Sequence, residues 1–192
     1  MKKMLHILLA GVAALALAIP AAAQKKEGSK LTPAEKKAGQ EARLKMAAEG
    51  LEKLYKLYPD AHAKIEKSVG YAVFDITSLY AILFVGQKGT GVLFDNATKK
   101  PTFMTSQRAG TGPGVGKQRV YQIFIFKTKD AMKQFSLSGG LGGDISGSYS
   151  TGSGGTAFSF NPSVDIVQIP ESGMAVQASW GGTVYSVDTS LQ

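Results

Sequence analysis

Val120-Tyr121-Gln122-Ile123-Phe124-Ile125-Phe126 places branched and aromatic residues on both faces of an extended chain, with Gln122 as the one polar position. Successive side chains of a strand point to opposite faces. A run that is apolar on both faces therefore reads as a central, buried strand. Upstream, residues 71–76, 80–85, 91–94 and 102–105 are short runs of the same branched and aromatic character, and 95–101 separates the last two as a hairpin loop. Downstream, residues 156–160, 164–169, 174–180 and 183–187 read as further strands. Gly181-Gly182 suits a two-residue turn, where both central positions need positive φ. Residues 170–173 read as a second tight connection, which makes the last strands an expected antiparallel meander.

Helices frame these strands. Thr32-Pro33-Ala34-Glu35 combines a capping residue, a proline suited to the first helical position and a glutamate that completes a capping box. Leu44, Ala47, Ala48, Leu51, Leu54, Tyr55 and Tyr58 then recur at three- and four-residue steps, the pattern of one apolar stripe. Core packing of that stripe on the sheet is favoured over membrane insertion. Pro59 ends this helix, and Asp60 is placed to cap a second over 61–67. A short polar helix over 128–135 follows the central strand, with Met132 and Phe135 inside. Residues 138–155 (SGGLGGDISGSYSTGSGG) form a Gly/Ser tract that reads equally as a loop or as close-packed glycine strands.

The first residues have another texture. Lys2 and Lys3 precede an apolar run from Leu5 to Ile19, Pro20 and the A-x-A ending Ala21-Ala22-Ala23. This is the pattern of a secretory signal peptide cleaved after Ala23, with 24–31 as a flexible leader and 32–192 as a single domain. Export to the periplasm is the expectation, with peripheral membrane association. The formal net charge is +8, and Lys133 is the last basic residue, so the positive charge sits in the front half. Such a balance favours an acidic partner, and export disfavours nucleic acid as that partner.

Catalytic chemistry has little to build on. The chain has no cysteine, and its two histidines are His6, in the signal, and His62, on a predicted helix. No Cys–His dyad or His/Cys zinc cluster can be assembled from these residues. The expectation is a non-enzymatic protein with no cofactor and no metal. The densest glycine motif is Gly110-Thr111-Gly112-Pro113-Gly114-Val115-Gly116-Lys117. A Walker loop needs glycine six positions before its lysine and Ser/Thr after it, where this chain has Thr111 and Gln118. The dinucleotide fingerprint fails at Val115. What remains is a glycine-rich turn whose N–H groups either hold an anion or simply feed the next strand.

Gly70-Tyr71-Ala72-Val73-Phe74-Asp75, the block Gly86, Gly89, Gly91 and Val92, the stretch Arg108–Gly116 and the closing ESGMAVQA of 171–178 follow one another in an order that resembles the SYLF domain family. The resemblance runs from about Leu44 to Tyr185. It implies lipid binding, with phosphoinositides the ligands of eukaryotic members. This chain lacks the cysteine that bacterial lipoprotein relatives carry, and the anionic-lipid class is what transfers to it.

The expected fold is α+β, with N-terminal amphipathic helices packed on a curved antiparallel sheet or partly closed barrel. The expected function is docking on anionic phospholipid headgroups. Lys99, Lys100, Arg108, Gly112, Gly114, Gly116, Lys117 and Arg119 are the candidate lipid-binding residues, expected to converge at one end of the sheet. Two rivals stand beside it: a periplasmic assembly protein with a protein partner, and a carrier of a small apolar ligand.

Overall fold

Thr32 caps α1 (Pro33–Leu57) as its sequence demands. The Glu35 N–H donates to Thr32 Oγ1 at 3.3 Å, and the Thr32 N–H donates to Glu35 Oε2 at 2.9 Å. Pro59 follows the end of the helix, and α2 (Ala61–Lys67) starts after Asp60. Asp60 makes no capping bond there and pairs with Lys64 at 2.8 Å instead. The computed structural model describes residues 31–137, 146–148, 157–159, 162–177 and 183–192. The expected signal peptide, nearly all of the 24–31 leader, most of the Gly/Ser tract and the turn at Gly181-Gly182 lie outside the described residues.

Two long strands dominate. β1 (Gly70–Asp95) pairs antiparallel with β2 (Pro101–Phe126), from Gly70 opposite Phe126 to Phe94 opposite Pro101. The runs expected over 71–76, 80–85 and 91–94 are thus one continuous strand. The glycine block is not a turn: it lies within β2, paired with the middle of β1. Register shifts between Ile82 and Phe84, so Gly112 and Pro113 have no partner on β1. Proline has no N–H for the ladder, and such a shift is where a strand tolerates it.

β1 also folds back on itself. A Cβ on Gly91 would fall 2.3 Å from the Phe74 ring, one on Gly89 would fall 2.9 Å from the Asp75 carbonyl, and the Asn96 N–H donates to the Val69 carbonyl at 3.0 Å. These contacts are symmetric about Ile82 and Leu83, where the strand reverses, and Ile82 takes a left-handed φ of 58°. β2 wraps around the outside of this reversal.

The sheet is completed on β2. β5 (Val164–Gln177) pairs with its second half, and β6 (Thr183–Val187) pairs with its first. Both pair with β2, so the expected meander does not describe this end of the chain. Residues 170–173 continue β5 rather than turn. β3 (Ser146–Ser148) and β4 (Ala157–Ser159) form a separate two-stranded pair, and α3 (Lys129–Leu137) follows β2. The class is α+β with an open, antiparallel sheet.

Both sheet faces are covered near the end that carries the 95–101 turn. On one face Phe74, Phe124, Phe126 and Tyr185 pack with Phe135 of α3 in a cluster of aromatic rings. On the other, Val73, Val92, Phe103, Tyr121 and Ile123 pack with Ala47 and Leu54 of α1 and Ile65 of α2. Burying each large side chain contributes roughly 1.5–3 kcal/mol, so this end holds the core. Arg43 ties α1 to the C-terminal segment through Asp188 at 3.2 Å, and Lys53 ties it to Glu171 at 2.7 Å. The inner side of the α1 stripe is therefore committed to the sheet. Among the described residues no helix is long and apolar enough to cross a membrane.

Candidate functional site

Beyond Ile76 the sheet outruns both core clusters. Six further residues carry β1 to its reversal at Ile82, roughly 20 Å of strand. On the face that α1 covers lower down, this extension forms an open groove of about 1000 Å³. Asp75, Thr77, Lys88, Thr90, Thr105, Gln107 and Arg108 line it. A second groove of about 500 Å³ takes in Thr77, Leu79, Lys88, Arg108 and Lys117. The register explains part of the grouping: Leu79 lies opposite Lys117 and Lys88 opposite Gln107 on one face, while Arg108 lies opposite Gln87 and starts from the other.

Lys88, Arg108 and Lys117 all line the smaller groove, and among the described residues none of them forms an ion pair. The Arg108 Nε is buried, with no hydrogen-bond partner among those residues. The Ser106 Oγ, on the same side of β2 as the Arg108 side chain, is in the same condition. A buried donor without a partner costs on the order of 1–3 kcal/mol, a cost that an incoming acceptor relieves.

Arg119 does not join them. Its Nε and Nη2 donate to the two carboxylate oxygens of Asp75 at 2.8 and 2.7 Å. That bidentate bond, with the carboxylate's charge, holds the guanidinium well above its ordinary pKa. The Arg119 side chain also lies over the Tyr121 ring at 5.8 Å. Its charge is engaged within the fold.

Lys99 and Lys100 are farther away. They sit in the turn between β1 and β2, where Asp95 Oδ1 accepts from the N–H of Ala97 at 2.7 Å. Because β1 doubles back, this turn lies beside Gly70, at the opposite end of the sheet from Ile82. From Lys100 to Arg108 the strand covers roughly 26 Å. The expected convergence of Lys99 and Lys100 with Arg108, Lys117 and Arg119 does not occur.

The glycines contribute backbone geometry. Gly116 has a φ of 134°, which side-chain-bearing residues rarely adopt, and Gly112 is buried at the register shift. Gly114 lies opposite Ile82. Their N–H groups belong to a strand, not to an anion-cradling turn. Lys88 is the residue sequence reasoning missed. Counting back from the 95–101 turn places it opposite Gln107, and this was the available signal. His62 lies exposed on α2, 3.5 Å from Glu66 and against the Tyr55 ring.

No family model matches the chain. A curated protein of Aeromonas veronii, Beta cell expansion factor A, is 30% identical to it over 177 residues. The match covers 88% of this chain and 65% of that protein, so the chain spans less than two thirds of the curated relative's length.

Proposed function

We propose that this is an exported, non-enzymatic protein that docks on anionic phospholipid, with headgroups held at the groove of Lys88, Arg108 and Lys117. The observation that carries the reading is the gathering of three cations, none ion-paired among the described residues, at one end of the sheet. Each basic residue near an anionic membrane surface contributes about 1 kcal/mol. The threonine hydroxyls of the larger groove supply hydrogen-bond donors that suit phosphate oxygens. The resemblance to SYLF domains and the signal-like residues 1–23 point the same way. Periplasmic location follows from that segment and is part of the proposal.

The carrier reading draws less support. The sheet is open, and the space beneath α3 is filled by Phe74, Phe124, Phe126 and Phe135. Co-sedimentation with phosphatidylcholine vesicles, with and without phosphatidylglycerol, tests the proposal. Binding should require the anionic lipid and weaken as salt rises, because exposed charges are screened over roughly 10 Å at 0.1 M salt. Equal binding to neutral vesicles, or none to either, would defeat it.

A further inference from the structure

The reversal of β1 carries an apolar surface that the core does not use. Ile82 is 72% exposed, Phe84 71%, Val115 68%, Leu83 60% and Leu79 57%. Large apolar side chains this exposed, contiguous in one place, mark an interaction surface. Leu79, Phe84 and Val115 also share a face, and Ile82 and Leu83 form the reversal beside them. Leu79 lies opposite Lys117 and Ala81 opposite Val115, so the apolar positions alternate onto the side of the sheet that carries Thr77, Lys88 and Lys117. An apolar tip therefore continues directly from a cationic groove. That order, from polar and positive to apolar over a few residues of strand, matches the order of an anionic leaflet from headgroup to acyl chain.

A second observation is independent of exposure. Ile82 holds a left-handed φ of 58°. A branched residue there is a strained outlier. Asparagine or glycine would serve the reversal better. An isoleucine that is both strained and exposed adds nothing to the fold that those residues would not.

We infer that the β1 reversal is a wedge that enters the acyl region of an anionic leaflet, with Ile82, Leu83, Phe84 and Val115 inserted and Lys88, Arg108 and Lys117 at the headgroups. This rests on the lipid reading above and adds depth and orientation to it: the sheet tip enters, and α1 stays on the sheet.

The chain has no cysteine, so a single label reports one position. Leu83→Cys and Ala97→Cys, the latter in the turn at the far end, are each labelled with an environment-sensitive fluorophore. They are then mixed with phosphatidylcholine–phosphatidylglycerol vesicles. The probe at 83 should shift to the blue and be quenched by lipids brominated in the acyl chain, while the probe at 97 should do neither. Co-sedimentation without a shift at 83 would overturn the wedge and leave electrostatic docking standing. Absence of co-sedimentation would overturn both. A probe at 83 already blue-shifted in buffer would show the tip covered by a second copy, and would also overturn the wedge. Ile82→Asn with Phe84→Ser guards against misfolding: the asparagine removes strain, so the melting temperature should not fall. Partitioning onto the same vesicles should weaken about tenfold or more, from the apolar area lost. Unchanged partitioning of this variant would contradict insertion.

Discussion

Arg119 illustrates how one contact decides between two roles. Its guanidinium is held from two sides by Asp75, a residue 44 positions earlier in the chain. A pair of this kind, bidentate but partly open to solvent, is worth about 1 kcal/mol at most. A double-mutant cycle of Asp75→Ala and Arg119→Ala in denaturant should return a coupling of that size. Arg119→Ala should leave vesicle binding close to wild type, whereas Lys117→Ala should weaken it. Tyr121 sets a pH limit. Burial chiefly, and then the Glu49 carboxylate beside its hydroxyl, raise its pKa above the ordinary 10.0. The fold favours the neutral phenol, so this contribution to stability is complete below pH 10 and is lost as pH rises through the raised value. Thermal melts from pH 8 to about 11.5 should therefore show an alkaline fall in stability that Tyr121→Phe reduces. Tyr71, also raised by burial, should sustain a residual fall.

Among the elements, β1 depends on glycines where its two halves meet. Gly91→Ala would drive a methyl group to 2.3 Å from the Phe74 ring, and overpacking of that kind costs about 1–3 kcal/mol. Gly86→Ala meets nothing within 4 Å and should be neutral or slightly stabilising. Urea titration of both variants checks the contrast, and equal destabilisation would refute the doubled-back strand. The same glycines limited what could be read beforehand. The capping box, the helix stop at Pro59, the 95–101 turn and the buried strand at Val120–Phe126 were legible because each depends on neighbours in sequence. Gly86 and Gly89 fell between the expected runs, yet the strand continues through them, and Gly89 and Gly91 are places where one half of β1 passes close to the other. The glycine block read as a turn, yet it is the part of β2 that wraps the reversal. Long-range register decides both, and composition does not encode it. The partner of Arg119, the remoteness of Lys99 and Lys100, and the arrival of Lys88 at the groove follow from that register as well. Residues 80–85 looked like any core strand, since exposure is not visible in an apolar run.

At the scale of the molecule the two ends of the sheet do different work. The end with the 95–101 turn, Gly70 and the aromatic cluster holds the hydrophobic core, sealed by α1, α2 and α3. The end at Ile82 extends past that core and carries three cations and an apolar tip. Docking on an anionic surface depends on this polarity, which a matched pair of charge reversals probes. Lys88→Glu with Lys117→Glu changes the charge at the groove, and Lys99→Glu with Lys100→Glu makes the same change in the turn at the far end. All four side chains are exposed, so both proteins should fold, because surface substitutions usually cost about 0.5 kcal/mol or less. Binding of each to phosphatidylglycerol-containing vesicles is then measured by co-sedimentation at one salt concentration. The groove double should lose nearly all binding, since each lost cation removes about 1 kcal/mol and each new carboxylate repels the surface. The turn double should bind close to wild type. Equal loss in the two proteins would show that net charge alone drives association, and full binding by the groove double would contradict the site.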